Sequence, residues 1–451
     1  MITMKRFTTR TALGLAALVA FSLAEHATVH TQIVSQPRNV PGLSKPVRVV
    51  RGRITRDFTM TADTYWVLRG AVFVESGATL NIEPGTRVVG ELATLGTLVI
   101  AQGGRINAAG TATAPIQFTS DQPIGLRARG DWGGLIINGR APINVPGGVA
   151  LGEGDTGQYG GTDPDDNSGV LTYVRVEYAG IEFSPDNELN GIAFQGVGRG
   201  TTVDHVQVKY NKDDCYEFFG GTVDAKHIIA TSCGDDSIDW TYGWTGRLQF
   251  GIVNQMADDA DNGFEADNNS SNNDLLPRSA PMIYNLTLLG DPTRNSGNES
   301  DDGMLVREGT AGTFRNFIVY GFKEWGVNVD HTATINQGNL GTLTWANGII
   351  TENGNSSVPG RGNLDSAAAP FIQNVPTIRV GNGAAFDPGL VDPFNNAAPV
   401  FRPAGPTALA MQLAPAVPPN DGFFEIAPYI GALHFDPLQD WTTGWTDFAI
   451  R

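Results

Sequence analysis

The chain has 451 residues, of which 41% are hydrophobic, 56 are glycine and 26 are proline, and its formal net charge is −17 at pH 7. This hydrophobic content excludes wholesale disorder, whereas the glycine and proline content requires many turns. The acidic balance excludes nucleic acid and anionic membrane surfaces as partners, because binding to either needs a basic face. Cations, and neutral or cation-bridged polymers, remain as partners.

The first 24 residues are typical of a secretory signal peptide. Lys5, Arg6 and Arg10 precede a mostly apolar run at 11–21, and residues 22–24 (Ser-Leu-Ala) offer a small-x-small cleavage site. That run is too short for a comfortable membrane span, and no later segment is long and apolar enough to cross a bilayer. We therefore expect an exported protein of the periplasm, the cell surface or the medium, with a linker at 25–50.

Short strand-like runs then continue from residue 51 to residue 355. Runs of apolar and β-branched residues, such as 65–68 and 171–176, alternate with Gly, Pro, Asn and Asp, as strands and tight turns require. Their spacing is too short and too even for βαβ units. We expect one all-β repeat domain, from which the Gly- and Asp-rich stretch 147–169 projects as a long loop.

An acidic pattern returns at a regular interval in the middle of this domain. Residues 213–217 (DDCYE) are followed 22 residues later by 235–239 (DDSID), and less similar copies begin at Asp261 and Asp301. A period near 22 with strand-like segments predicts a solenoid, in which the strands of successive coils pair in parallel at about 4.8 Å. The acidic residues should then form rows along a parallel β-helix.

Two rows follow from the spacing. One contains Asp214, Asp236, Asn262, Asp302 and Glu324, and the other contains Glu217, Asp239 and Glu265. Carboxylates this close together repel one another unless they are solvated, protonated or bridged by a cation. Calcium suits the last case, because it takes six to eight oxygen ligands in loose geometry.

We therefore expect calcium as the cofactor of this acidic ladder. The predicted ligands are Asp214, Glu217, Asp236, Asp239, Asp259, Asp261, Glu265 and Asp267. Two alternatives remain. The Asp and Asn side chains could simply hydrogen-bond their own backbone at turns, or a carboxylate pair could act as acid and base on a sugar polymer.

The two cysteines of the chain lie inside the same repeats. Cys215 and Cys233 are separated by slightly less than one coil, so they should lie on neighbouring coils. An even number of cysteines in an exported chain favours a disulfide bond. Two buried or free thiols are the alternative.

Aromatic residues lie next to the acidic ladder. Trp240, Tyr242 and Trp244 alternate with Thr241 and Gly243, so all three would share one face of a strand. Facing outward, they would form a platform on which sugar rings stack, and we take them as the predicted substrate contacts. Facing inward, they would be part of the core, which is the commoner fate of large aromatic residues.

Two segments follow the predicted solenoid. Residues 356–421 are rich in Pro, Ala and Asn, and we expect an irregular strip that lies along the solenoid. Residues 422–451, with Tyr429, Trp441 and Trp445, should cap the open C-terminal end. Solenoid ends need such covers because exposed strands act as templates for aggregation.

Three stretches resemble secreted bacterial β-helix proteins of the pectin-lyase-like superfamily. Residues 77–86 (GATLNIEPGT) look like the opening coils, and residues 131–139 (DWGGLIING) and 441–445 (WTTGW) look like features of uncharacterised cell-envelope members. The resemblance implies a right-handed parallel β-helix over most of residues 60–350. It says little about activity, since that superfamily contains lyases, hydrolases, adhesins and structural proteins.

Together these features predict a cell-envelope or extracellular protein that binds polysaccharide or a cell-surface component. One alternative is a polysaccharide lyase or glycoside hydrolase that acts on an acidic polysaccharide in the same groove, with Lys212, Arg247 or Arg307 near the acidic rows as a possible base. The other is a purely structural solenoid, which burial of the aromatic residues would favour. The catalytic residues, the polymer and the oligomeric state stay open.

Overall fold

Short strands joined by tight turns make up most of the protein in the computed structural model, which describes residues 33–39, 43–184, 187–256, 260–291, 300–354 and 360–450. All of them belong to the compact unit Thr31–Arg451. The predicted signal peptide lies outside the described residues. No helix within these ranges is long and apolar enough to cross a membrane.

The strands up to residue 188 are β1 (Ile33–Val34), β2 (Val47–Ile54), β3 (Phe58–Met60), β4 (Tyr65–Val74), β5 (Thr79–Ile82), β6 (Arg87–Gly90), β7 (Thr97–Ile100), β8 (Arg105–Ala109), β9 (Ile116–Ser120), β10 (Leu135–Asn138), β11 (Ala150–Gly152), β12 (Gly157–Tyr159), β13 (Gly169–Glu177), β14 (Glu182–Ser184) and β15 (Asn187–Glu188).

The later strands are β16 (Ile192–Gln195), β17 (Thr202–Lys209), β18 (Tyr216–Phe219), β19 (Ala225–Thr231), β20 (Ile238–Thr241), β21 (Arg247–Asn254), β22 (Glu265–Ala266), β23 (Met282–Leu289), β24 (Asp302–Val306), β25 (Gly312–Tyr320), β26 (Trp325–Val329), β27 (Leu343–Thr351), β28 (Gly362–Leu364), β29 (Ile378–Gly381), β30 (Leu390–Asp392) and β31 (Val400–Pro403). The α-helices are α1 (Thr332–Leu340), α2 (Ala369–Ile372) and α3 (Leu409–Gln412).

Most of these strands stack in parallel into three sheets, which confirms the predicted parallel β-helix. Sheet I contains the second halves of β2 and β4, then β7, β10, β16, β18, β20, β22, β24, β26 and β28. Sheet II contains β3, β5 and β8 and the first halves of β13, β17, β19, β21, β23, β25 and β27. Sheet III contains the first halves of β2 and β4, then β6, β9, the second halves of the strands from β13 to β27, and β29.

From β13 onward a single strand serves both sheet II and sheet III, because it bends at one residue in the left-handed region. These residues stack in one column with φ between 49° and 62°. They are Tyr173, His205, His227, Phe250, Asn285, Asn316 and Asn347, and we call them the corner column. Asn and His adopt positive φ more readily than most residues, so the later coils are well suited to this bend.

Alternate side chains of the three sheets fill a continuous apolar interior. Large aromatic rings stack there from coil to coil. Phe218 lies 5.0 Å from Phe194 and 4.2 Å from Trp244, measured between ring centroids. The Cys215–Cys233 disulfide bond, confirmed by the structure, joins two neighbouring coils beside this core.

The C-terminal end of the core is covered by different residues from those that the sequence predicts. Ala368, Ile372 and Ile378 are part of the core, and Phe371 packs against it, so the segment around α2 closes the end. The solenoid itself runs from Val47 in β2 to Gly381 in β29, beyond the predicted limits of 51 and 355, because β28 and β29 still pair with sheets I and III.

Residues 382–450, which we call the strap, run back along the corner column and sheet III instead of capping the end. Amide side chains of the corner column bind backbone carbonyls of the strap: Asn347 Nδ2 donates to Ala414 O at 2.9 Å and Asn285 Nδ2 to Tyr429 O at 3.1 Å. Further along, Gln207 Nε2 donates to Asp447 O at 3.1 Å. The strap therefore reaches coils far from the end that it was expected to cover.

The predicted long loop at 147–169 does not project freely. It carries the antiparallel hairpin β11–β12, and Tyr159 of that hairpin packs with Ile136, Ala193 and Phe219 of sheet I. Hydrophobic packing thus holds the loop over the outer face of the sheet, on the coils that precede the acidic repeats.

Candidate cation site on the acidic face

Acidic residues face outward from sheet I in the register that the sequence predicts. Glu217 of β18 pairs with Asp239 of β20, which pairs with Glu265 of β22. The row ends on the next coils, where Leu305 and then Asn328 take the position. Three carboxylates therefore stack on successive strands, at the spacing of about 4.8 Å between them.

The second predicted row is a ladder of side-chain to backbone hydrogen bonds. Asp214 Oδ1 accepts from the N–H of Asp236 at 2.9 Å, and Asp236 Oδ1 accepts from the N–H of Asn262 at 2.8 Å. Asn262 Oδ1 continues the pattern to Asp302 N at 3.2 Å. One oxygen of each carboxylate in this row thus has a structural role.

The last step of this ladder differs from the predicted register. Asp302 Oδ1 accepts from the N–H of Trp325 at 2.9 Å, and Asp302 pairs with Trp325 in sheet I. Glu324 therefore does not belong to the row; its backbone N–H donates to Asp301 O, one residue earlier. The turn of this coil is one residue longer than the 22-residue repeat allows.

The two rows and the turn beside them bring carboxylates into three overlapping groups. In each group, one oxygen of every member lies within 4.8 Å of the others. The groups are Asp214, Glu217 and Asp239; Asp213, Asp214 and Asp235; and Asp235, Asp236 and Asp261. Spacings of this kind let one calcium ion contact three carboxylates, because its ligand distances are 2.3–2.6 Å.

Burial and mutual repulsion raise the pKa of these carboxyls. Desolvation raises the pKa values of Asp214, Glu217, Asp236 and Asp239 well above their usual range, and neighbouring carboxylates raise them further. For Asp213, burial and then the charge of Asp235 raise the pKa to about 8. The ionised form is therefore costly unless a positive charge comes close.

One basic side chain supplies such a charge at one end of the rows. Arg307 forms an ion pair with Glu265, and its Nε lies 3.0 Å from Asp267 Oδ1. Burial and the neighbouring Asp239 still raise the pKa of Glu265 to about 9. Two of the predicted ligands are thus already occupied by a cation of the protein itself.

The group of Asp214, Glu217 and Asp239 has no such counterion among the residues that the structure describes. Asn190 Nδ2 donates to Glu217 Oε2, and the side chains of Glu217 and Asp239 share a hydrogen bond. Asp239 Oδ1 is buried and has no hydrogen-bond partner within the described ranges. We call this group the inner triad; its oxygens are hard donors, and one of them has no partner among the described residues, so the group fits a calcium ion.

The remaining predicted site residues lie elsewhere. Trp240 and Trp244 are fully buried in the core, so the prediction that they contact sugar is wrong: Asp239 faces outward, and its neighbour on the strand must face inward. Tyr242 lies past the end of β20, half-buried against Phe219. Asp259 falls outside the described residues.

Sequence reasoning left several carboxylates around the acidic face out of the predicted site. Lys212 and Asp213 line a cavity of about 300 Å³ together with Glu182, Glu188 and Asp235. Asp213 and Asp235 are the first residues of the recurring motif, which was a usable signal. Glu182 and Glu188 come from the small hairpin β14–β15, and no repeat marks them.

The basic residues that could serve as a catalytic base are all engaged in ion pairs. Lys212 Nζ lies 2.5 Å from Glu182 Oε2, and Arg247 pairs with Asp224. Arg307 is bound by the acidic rows, as described above. A base for proton abstraction from a sugar would have to leave its partner first.

Comparison with known proteins adds a family match to this geometry. The family described as a pectate-lyase like beta helix domain matches residues 52–446. Among solved structures, pectate lyase Pel9A is 12% identical, with 84% of this chain and 89% of that chain covered and a TM-score of 0.39. The periplasmic alginate epimerase AlgG is 10% identical, with 75% and 84% covered and a TM-score of 0.28. No curated protein sequence matches the chain.

Proposed function

This chain belongs to the pectate-lyase-like β-helix family, and from that premise we propose that it is an exported protein that holds calcium on its acidic face and binds polysaccharide through that face. The observation that carries the proposal is the inner triad. Three carboxylates, two of them buried and one half-buried, lie within reach of one cation, and one of their oxygens has no partner among the described residues.

The physical argument for calcium starts from the cost of this arrangement. Two like charges about 4–5 Å apart repel by roughly 1 kcal/mol in water and several times more near a protein surface. Protonation or a bound cation removes that cost, and a divalent cation does so for several carboxylates at once. Asp214, Glu217 and Asp239 would hold the ion, with Asp213 and Asp235 forming a neighbouring group of donors.

A bound calcium ion would leave coordination positions open to hydroxyl or carboxylate oxygens of a sugar polymer. Without the ion, an acidic polymer would be repelled by the outward carboxylates of sheet I. Polysaccharide binding should therefore depend on the cation. The buried Trp240 and Trp244 take no part in this contact, and the polar residues at the rim supply hydrogen bonds instead.

We propose binding without cleavage of the polymer, because the basic side chains near the acidic rows are held in ion pairs. Lys212, Arg247 and Arg307 all hold carboxylate partners, so none is ready to accept a sugar proton. A lyase or hydrolase on an acidic polysaccharide is the second candidate, because Arg307 lies among carboxyls of raised pKa, with Glu265 at about 9, as catalytic sites often require. The Cys215–Cys233 disulfide bond supports the proposed export.

The test is a binding assay on uronic-acid and neutral polysaccharides, run with calcium and with a chelator. We expect the wild-type protein to bind at least one polymer only with calcium, and Asp239→Asn to lose that binding. Asp302→Asn is the matched control, since Asp302 also faces this sheet and is buried but belongs to no carboxylate group. Asn262 already shows that an amide can serve in the hydrogen-bond ladder.

Two results would contradict the proposal in different ways. Polysaccharide binding that persists in the chelator would remove calcium from the mechanism. Unsaturated or reducing ends released from the polymer in the same samples would make the protein an enzyme and favour the second candidate.

A further inference from the structure

A second polar cavity lies on sheet III, under the end of the strap. Its volume is about 190 Å³, and six charged side chains line it. They are Arg87, Arg127, Arg175, Lys209, Glu177 and Asp447. Four cationic groups against two carboxylates leave an excess of two positive charges, in a chain whose net charge is −17.

The stacking of sheet III builds this cavity from successive coils. Arg87 pairs with Gln117, which pairs with Arg175. On the adjoining outward row, Glu177 pairs with Lys209. The parallel register therefore places these side chains about 4.8 Å apart along the solenoid, and the strap residue Asp447 closes one side.

Two of the four cations are balanced by the two carboxylates. Lys209 Nζ lies 3.3 Å from Asp447 Oδ2 and 3.8 Å from Glu177 Oε1. Arg175 Nε lies 3.3 Å from the same oxygen of Glu177. Gln117 Nε2 donates to the other oxygen, Glu177 Oε2, at 2.8 Å. Both carboxylates are therefore in use.

The other two cations, Arg87 and Arg127, have no carboxylate partner among the described residues. Arg87 Nε is buried without any hydrogen-bond partner in the described ranges. Arg127 Nε donates to the backbone carbonyl of Gln122 at 3.1 Å, and the Arg127 guanidinium lies 5.8 Å from the centroid of the Tyr178 ring. Burial and then the neighbouring charge of Arg127 lower the pKa of Arg87, against the opposite effect of Glu177.

We propose that this cavity is a binding site for a small oxyanion, held between Arg87 and Arg127. Buried charges in proteins are normally paired, because an unpaired one loses its hydration without compensation. A guanidinium presents a planar set of N–H donors that matches a carboxylate or a phosphate group. The ligand is thus an anion with at least two terminal oxygens, and its site is separate from the acidic face.

Isothermal titration without calcium, at constant ionic strength, tests this site with two probes, inorganic phosphate and glucuronate. We expect the wild-type protein to bind at least one of them, and Arg87→Gln to bind it about tenfold more weakly or worse. Phosphate binding alone would indicate a phosphate- or sulfate-type ligand, and glucuronate binding alone would indicate an acidic sugar. The control is Arg105→Gln, an exposed arginine on sheet II, which should bind like the wild type.

Thermal melting gives a second readout that a merely structural role of Arg87 would not produce. Without anion, Arg87→Gln should melt at the same temperature as the wild type or higher, because it removes a half-buried charge that has no carboxylate partner among the described residues. With anion, the wild type should melt at the higher temperature. The proposal is overturned if neither probe binds at millimolar concentration, or if Arg87→Gln keeps wild-type affinity.

Discussion

Charged side chains stack from coil to coil both on the acidic face of this solenoid and on the face that the strap covers. The two faces differ in how those charges are paired. Under the strap, the buried Lys209 lies between Glu177 and Asp447. On the acidic face, Asp214, Glu217 and Asp239 lie together with no basic partner among the described residues. Lys209 and its two carboxylates are thus paired within the chain, whereas the inner triad forms no ion pair among the described residues.

The strap accounts for this difference. It brings the Asp447 carboxylate and a series of backbone carbonyls to sheet III and the corner column. The side-chain amides of Asn285 and Gln207 donate hydrogen bonds to two of these carbonyls. Within the described ranges, the ion pair that reaches the acidic rows is the one between Arg307 and Glu265, at one end. In a parallel repeat, side chains of the same charge stack on one another from coil to coil. Each buried row of such side chains therefore needs an opposite charge from outside the repeat. On the acidic face we propose that this partner is calcium.

The largest expected effect is the pH dependence of stability without calcium. The pKa of Asp213 is raised to about 8, that of Glu265 to about 9 and that of Asp302 to about 7, with burial as the first cause in each case. Between pH 4 and pH 9 the folded protein therefore holds more protons on these carboxyls than the unfolded chain does. The free energy of unfolding should fall as pH rises through this window.

Urea unfolding at pH 5 and pH 8, with a chelator and with calcium, measures this effect. Each such carboxyl lowers the free energy of unfolding by about 1.4 kcal/mol for every pH unit over which only the folded state holds its proton. Calcium should restore the part of the loss at pH 8 that comes from Asp213 and the inner triad, and change little at pH 5. Equal free energies of unfolding at both pH values in the chelator would show that the carboxyls of the acidic face do not repel one another, and that the two faces do not differ in charge pairing.

The next largest effect on stability should come from removing the buried lysine under the strap. Lys209→Met leaves Glu177 and Asp447 without their shared cation, and Lys209 and Glu177 are each only 1% exposed. We expect the free energy of unfolding to fall by about 3–5 kcal/mol, in calcium and in chelator alike. The control is Lys226→Met, whose partner Glu425 is 60% exposed, and it should cost less than about 1 kcal/mol.

A smaller effect should follow from loosening one attachment of the strap. Asn285→Gly keeps a residue that tolerates positive φ but removes three hydrogen bonds. Two run from Asn285 Nδ2 to Tyr429 O and Gly431 O at 3.1 Å each, and Asn285 Oδ1 accepts the third from Gln249 Nε2 at 3.2 Å. Two buried carbonyls lose a donor, which should cost about 1–3 kcal/mol. Hydrogen exchange of residues 425–433 should speed up; unchanged exchange there would mean that other contacts hold the strap.

The repeat and the acidic row of Glu217, Asp239 and Glu265 could be predicted from the sequence. The interval of 22 residues from Glu217 to Asp239 predicts their pairing, and the extra residues before Glu265 are absorbed in a turn. Alternation along the strand would also have predicted the burial of Trp240, since its neighbour Asp239 faces outward. The Asp302–Trp325 pairing was missed because one added turn residue changes the register without any visible mark in the repeat.

The strap and the counterions could not be predicted from local pattern. Gln207 and Asp447 are 240 positions apart, and no periodicity connects them. Arg307 was visible as a basic residue near the rows, but its pairing with Glu265 depends on how the coil between them folds. Local pattern thus identifies the rows of the solenoid, whereas long-range packing decides which of them are neutralised.

The most direct test of the calcium proposal is a calcium titration by calorimetry on the wild-type protein and on Asp239→Asn, with Asp302→Asn as the control. We predict saturable binding to the wild type and the control, and a loss of about tenfold or more in affinity for Asp239→Asn. Asp239→Asn should also be more stable than the wild type in the chelator, because it removes one of the repelling charges. Equal calcium affinity in all three proteins, or no binding to the wild type, would contradict the proposal that the inner triad holds the ion.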